Sequence, residues 1–260
     1  MNKQILMMCF LLLVLVFLSA CSNPTSNVIK EEQYTEIGVI LPLTGPGAAY
    51  GIPEKEGIEL GLEELNNHRA TPIKLIFEDS ETEPSAGVIA FNKLIQISKV
   101  KTVIGAMSSS VTLAISPIAE QNQIILISPG SSNPELSNAG DYIFRLYPSD
   151  DYQGKILADY VKKNKLTNTG ILYLNNDYGL GLKNKFKEEY TKDKNYEVIT
   201  EVAYNRGEKD FRTYLTKLKK DNIKTILIIA AGQENANILI QAKELGLNDI
   251  LPDLKVGVSC

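Results

Sequence analysis

From Thr35 onward, short β-branched apolar runs alternate with longer amphipathic stretches. That alternation restricts the chain to an α/β architecture of stacked βα units around mainly parallel sheets. Strands are expected at 37–41, 73–77, 102–104 and 124–127, and, after a break, at 169–174, 197–202 and 225–229. Their near-continuous hydrophobicity predicts sheets covered by helices on both faces. The 3.6-residue periodicity places those helices at 54–67, 85–98, 111–122, 153–163, 182–193, 211–221 and 235–245. In the break, residues 142–146 read as a strand, and Tyr147, Pro148, Ser149 and Asp150 as a loop leading into a helix cap. This is the expected crossing between two lobes. The halves share no evident self-similarity, so the pattern implies no internal duplication.

The first residues bear on the compartment. Lys3 precedes an apolar run over 5–18, too short to span a bilayer comfortably, which ends in Leu18, Ser19, Ala20 and Cys21. A charged start and a small-residue exit make a secretory signal, and a cysteine directly after Leu-Ser-Ala resembles the lipobox of bacterial lipoproteins. The expected organisation is a signal peptide over 1–20, a polar flexible tether over 21–34, and folded lobes over 35–147 and 148–260. Cys21 is then the lipid attachment point. It holds the protein on the outer face of the cytoplasmic membrane or the periplasmic face of an envelope membrane. An ordinary signal peptide or an uncleaved anchor is the alternative.

About 240 residues remain after such a leader, enough for two medium lobes with cores of their own. The net charge of −4 arises from interleaved acids and bases, which argues against nucleic acid as a partner and for a small molecule or a protein. The three cysteines, Cys9, Cys21 and Cys260, offer no disulfide within the body. Catalysis lacks ingredients. His68 is the sole histidine and sits at a helix exit, no Cys–His pair or metal-ligand cluster is available, and there is neither a nucleophile elbow nor a P-loop. Glu63 with Glu64, and Glu188 with Glu189, diverge on their helices. A binder without metal or cofactor is expected, and not an enzyme.

Three strand-to-helix junctions carry the candidate binding chemistry. The first runs from Leu41 to Gly51 through Gly45, Gly47 and Tyr50, and its glycines have neither phosphate-cradling nor dinucleotide spacing. The second ends a strand in Ser108, Ser109 and Ser110 at the start of a helix, where unpaired amides and hydroxyls suit a carboxylate. One of these serines is expected to be a structural cap. Beside it, Ser128, Pro129, Gly130, Ser131 and Ser132 follow the next strand and aim more donors at the same edge. The third holds Asn175, Asn176, Asp177, Tyr178 and Gly179, with Tyr178 at a helix start and Asp177 able to cap that helix or to meet an ammonium.

The order of these segments over about 37–247, with Asn133-Pro134-Glu135-Leu136 and Gly207-Glu208-Lys209-Asp210-Phe211, resembles the branched-chain amino-acid-binding proteins of ABC uptake systems. The resemblance implies a type I periplasmic-binding fold, two Rossmann-like lobes hinged by crossovers and closing on an amino acid. It further implies a ligand carboxylate held by Ser108, with Ser109 and Gly130 beside it, by the backbone around Ser131 and by the hydroxyl of Ser132. Tyr50 and Tyr178 would close over the ligand, which is delivered to ABC permease membrane subunits. Three departures accompany it. The family's second-lobe carboxylate for the ammonium has no match near Asp253 or Lys255, an expected aromatic is replaced by Ala230-Ala231-Gly232-Gln233, and Met107 stands where the family has a cysteine. Family members also run on well beyond this length, so a C-terminally incomplete pair of lobes with exposed apolar surface is expected. The alternatives are a ligand-sensing receptor ectodomain, an amide-type regulator, or a truncated copy that does not bind.

Overall fold

The computed structural model describes residues 34–220 and 223–247. The expected leader, most of the tether, Cys21, and the segment with Asp253 and Lys255 lie outside the described residues.

The first module alternates strand and helix: β1 (Thr35–Leu41), α1 (Ala48–Asn66), β2 (Ile73–Asp79), α2 (Pro84–Gln96), β3 (Thr102–Gly105), α3 (Ser109–Gln121) and β4 (Ile125–Ser128). A 3-10 helix (Pro134–Asn138) and β5 (Ile143–Arg145) complete it. The second module holds α4 (Asp150–Lys163), β6 (Thr169–Leu174), α5 (Asp177–Tyr190), β7 (Val198–Tyr204), α6 (Arg212–Lys220), β8 (Thr225–Ile229) and α7 (Gln233–Glu244). Every strand pairing is parallel, in the orders β2-β1-β3-β4-β5 and β7-β6-β8. Both sheets reverse direction beside their first strand, between β1 and β3 and between β6 and β8. At such a reversal the flanking helices lie on opposite faces, and a crevice opens at the carboxyl ends of the strands.

The second sheet is sandwiched as its sequence predicts. Leu172, Leu174 and Ile228 pack with Phe211, Leu215 and Ile238 from α6, its approach and α7, while Ile171 and Ile229 on the opposite face pack with Ala158, Leu182 and Phe186 from α4 and α5. Phe186 stacks on Tyr190 at 5.1 Å, and the Tyr190 hydroxyl donates to the Leu166 carbonyl (2.7 Å), satisfying a buried phenol. The first sheet buries one deep cluster, with Ile40, Val103 and Leu126 against Phe91 and Leu94 of α2 and Val111 and Ile115 of α3. On its other face α1 buries only Gly51, and Leu60 and Leu65 of that helix are exposed. Two-sided cover is therefore close over β6 and β8, whereas α1 adds only Gly51 to the buried residues on its face of the first sheet.

The strands lie where the apolar runs predict, but α1 and α5 begin six and five residues earlier than expected. Their first turns are built of Ala, Gly, Tyr and Asp, which carry no apolar period, so a reading by periodicity starts too late. Each of these turns contains a Tyr-Gly pair, Tyr50-Gly51 and Tyr178-Gly179. Both glycines are buried, and a Cβ on Gly51 would collide with the Pro42 carbonyl oxygen, one on Gly179 with the Leu174 carbonyl oxygen. Glycine thus lets each helix start directly on the strand end, which sets the tyrosine before it at the rim of the crevice. Gly179→Ala forces a backbone shift and is expected to cost about 1–3 kcal/mol. Thermal melts should show a Tm lowered by several degrees, and an unchanged Tm would contradict the packing.

Candidate functional site

Eleven residues from the loops and helix starts that follow strand ends converge on a single cavity. Tyr50, Thr82, Met107, Ser108, Ser109, Gly130 and Ser132 come from the first module, Asn176, Tyr178, Arg206 and Ala231 from the second. It offers about 60 Å³ to the centres of water-sized molecules, room for roughly four to six waters. A wider cleft of about 590 Å³ adjoins it, sharing Tyr50, Arg206 and Ala231 and adding Gly207, Glu208, Lys209, Gly232 and Glu234. The inner part suits a compact polar head group, the outer part a side chain.

Hydrogen bonds separate the free serines from the structural ones. Ser108 occupies the N-cap position of α3, yet its side chain makes no cap hydrogen bond, so the hydroxyl is free to face the cavity. The Ser109 hydroxyl instead accepts from the amides of Ser132 and Asn133 (both 3.3 Å), and Ser110 accepts from the Asp177 amide (3.2 Å). Ser131 lies off the cavity. Its hydroxyl is fully buried against Thr112 Oγ1 (2.7 Å) and the Ala106 carbonyl (3.1 Å), and its amide donates to Ser128 Oγ (3.0 Å). The backbone expected to hold a carboxylate is already bonded there, so Ser131 frames the site and does not line it.

Ser132 differs from its expected use as well. Its Oγ donates to Asp150 Oδ2 at 2.9 Å, and the Ser132 carbonyl accepts from the Asp150 amide (2.8 Å). Burial pushes the Asp150 carboxyl up to about 6, against the Ser132 hydrogen bond and the charge of Arg145, and its Oδ1 is buried without a partner among the described residues. A hydroxyl has one proton to give. With that proton directed to Asp150, the Ser132 hydroxyl keeps only acceptor capacity for other partners.

The tyrosines stand on opposite sides. Tyr50 reaches across to the second module, where a Cβ on Gly232 would lie 3.3 Å from its hydroxyl. Loop anchoring sets its position, because Asp79 accepts from the Leu43 amide (2.8 Å) and the Thr44 hydroxyl (2.5 Å), and Thr82 Oγ1 from the Gly47 amide (3.0 Å). Tyr178 follows a cap made by Asn176, whose side chain accepts from the Gly179 amide (2.9 Å). Asp177 neither caps that helix nor lines the cavity. Its amide and carbonyl bond Ser110 and Asn133 Nδ2 (2.6 Å), linking the two modules.

Sequence reading missed Thr82, Met107, Asn176, Arg206 and Ala231 as lining residues. Each follows the carboxyl end of a strand by a few positions, and that offset alone could have found them. Glu54 of α1 lies just behind the wall, its Oε1 placed 3.4 Å from where a Gly130 Cβ would be, with Oε2 buried and unpartnered among the described residues. Burial pushes its carboxyl up to about 7. The folded protein thus keeps a proton that the unfolded chain releases near 4.5, so stability falls as pH rises from about 4.5 to about 7 and levels off above. Glu54→Gln should flatten that fall. Denaturant midpoints at pH 5 and 7.5 that change equally in both proteins would refute this.

The periplasmic binding protein family model matches residues 35–254. A Leu/Ile/Val-binding protein homolog of Brucella melitensis is 31% identical over 223 residues, covering 83% of this chain and 59% of the relative. Among solved structures, a leucine binding protein, LivK, of Thermotoga maritima superposes with a TM-score of 0.76 at 30% identity, covering 82% of this chain and 61% of that one. LivJ of Streptococcus pneumoniae, a branched-chain amino acid transporter substrate binding protein in complex with isoleucine, gives 0.73 at 28%, with 83% and 62% covered. The chain spans about 60% of the length of these proteins.

Proposed function

The chain belongs to the periplasmic binding protein family, and from that premise we propose that it captures an amino acid or a close analogue by closure of two lobes. The lobes are residues 35–147 and 148–260, and the captured solute passes to the membrane subunits of an ABC importer. The observation that supports this reading is the opposed polarity of two neighbouring hydroxyls. Ser108, free at the start of α3 among amides with no helical partner, is a donor site for a carboxylate. Ser132, its proton drawn by Asp150, is an acceptor site for an ammonium. A donor and an acceptor lining one cavity of this size match the α-carboxylate and α-ammonium that amino acids share. An aromatic or aliphatic acid without the amine leaves Ser132 unanswered.

Closure has a physical basis in the same region. Tyr50 from one side and Tyr178 from the other flank the cavity, and the Ser110–Asp177–Asn133 hydrogen bonds join the modules only when they lie together. A ligand that bonds both sides favours the closed arrangement by its differential affinity for it. Ser108→Ala should weaken amino-acid binding by about 1.5–3 kcal/mol. Titration calorimetry with a panel of amino acids measures this, and unaltered affinity in the variant would remove the carboxylate assignment.

Cys21 carries the lipid in this reading, tethering the lobes beside the permease. Cys21→Ser should move the protein from the membrane fraction to the soluble exported fraction, as seen by fractionation and blotting. A variant that stays membrane-bound would point to an uncleaved anchor instead.

A further inference from the structure

Arg206 lies on the loop after β7, half-buried, and lines both the inner cavity and the outer cleft. Among the described residues its guanidinium has no hydrogen bond and no ion pair, whereas the acids around it are engaged. Glu234, buried, accepts from the Gly207 amide (2.9 Å) and the Tyr204 hydroxyl (3.1 Å), and Glu208 accepts from the Tyr214 hydroxyl (3.3 Å) and the Lys209 amide (3.3 Å). Lys209, beside it in the outer cleft, forms no ion pair among the described residues either. The mouth of the site thus presents fixed, bonded carboxylates and uncommitted cations.

Position converts this into specificity. The inner cavity has room for a head group and little more, so whatever distinguishes one amino acid from another must extend past Tyr50 and Ala231 toward Arg206, the cationic residue shared by the two spaces. A guanidinium held in a partly desolvated cleft favours a planar anion that accepts two hydrogen bonds, and an apolar side chain there leaves its donors unanswered. Ala231 and Gly232 just past the end of β8 leave the space beside it open.

We propose that Arg206 selects an amino acid whose side chain ends in a carboxylate, an aspartate- or glutamate-like ligand, in preference to a branched aliphatic one. This rests on the amino-acid reading of the inner cavity. The test titrates the full chain and its Arg206→Ala, Arg206→Glu and Ser108→Ala variants with glutamate, aspartate, leucine and lysine, each variant first checked for native circular dichroism. The wild type should bind glutamate or aspartate at least about tenfold more tightly than leucine. Arg206→Ala should abolish that margin, Arg206→Glu should shift preference toward lysine, and Ser108→Ala should weaken all ligands alike. Leucine bound as tightly as glutamate, with Arg206→Ala changing neither, overturns the acidic specificity while a loss in Ser108→Ala still upholds the head-group site. Failure of the wild type to bind any of the four rejects both.

Discussion

The carbonyl of Ala106 lies within hydrogen-bond reach of three hydroxyls, Ser128 (2.6 Å), Thr112 (2.9 Å) and Ser131 (3.1 Å), just past the end of β3, and Thr112 and Ser131 share a further bond (2.7 Å), so one of those two donates to the other instead. Parallel strands that stop together leave their last backbone groups without ladder partners, and in a crevice those groups must be answered by side chains. Here the answer sews the loop after β3, the start of α3 and the loop after β4 into one block. Thr112 bridges the first two, and Ser128 and Ser131 add the third. Because these hydroxyls are spent inward, Ser108 and Ser132 are the residues of the block left to line the cavity with Ser109.

The second module meets the same requirement with different chemistry. Glu234 at the start of α7 holds the Gly207 amide and the Tyr204 hydroxyl, while Gln241, two turns further along the same face, accepts from the Phe211 amide (2.5 Å) and donates to the Lys209 carbonyl (2.7 Å). Burial and the Glu234 charge both keep the Tyr204 phenol protonated, so it stays a donor. The loop bearing Arg206 is thereby pinned at both ends to α7 and is not a loose connection. One wall of the site is thus neutral and hydroxyl-built, the other charged and carboxylate-held.

Legibility followed burial. The strands were readable because continuous Val, Ile and Leu runs have few other uses in a chain with turn residues between them, and the edges at Thr169–Leu174 and Thr225–Ile229 fell where expected. Helix bodies were readable from their apolar stripes, but the first turns of α1 and α5 were not, since Ala-Ala-Tyr-Gly and Asp-Tyr-Gly carry neither a stripe nor a breaker that marks them as helical. Tyr50 and Tyr178 were picked out as residues, Tyr178 already at a helix start, while the place of Tyr50 in the first turn of α1 came from packing. Ser131 and Asp177 looked as available as Ser108, because nothing local distinguishes a hydroxyl or carboxylate facing the cavity from one facing the frame.

What the sequence determined by itself was the alternation of elements, the class of fold, and the segments that would gather at the carboxyl ends of the strands, because hydrophobic period and turn chemistry are local properties. Which proton each serine gives, and to whom, was decided only by the tertiary structure. Asp150 lies 18 positions beyond Ser132 and Arg206 comes from another sheet than Ser108, so their effect on the cavity depends on distances that no local pattern encodes. The polarity of a hydroxyl and the solitude of a guanidinium are properties of the neighbours, and folding chooses the neighbours.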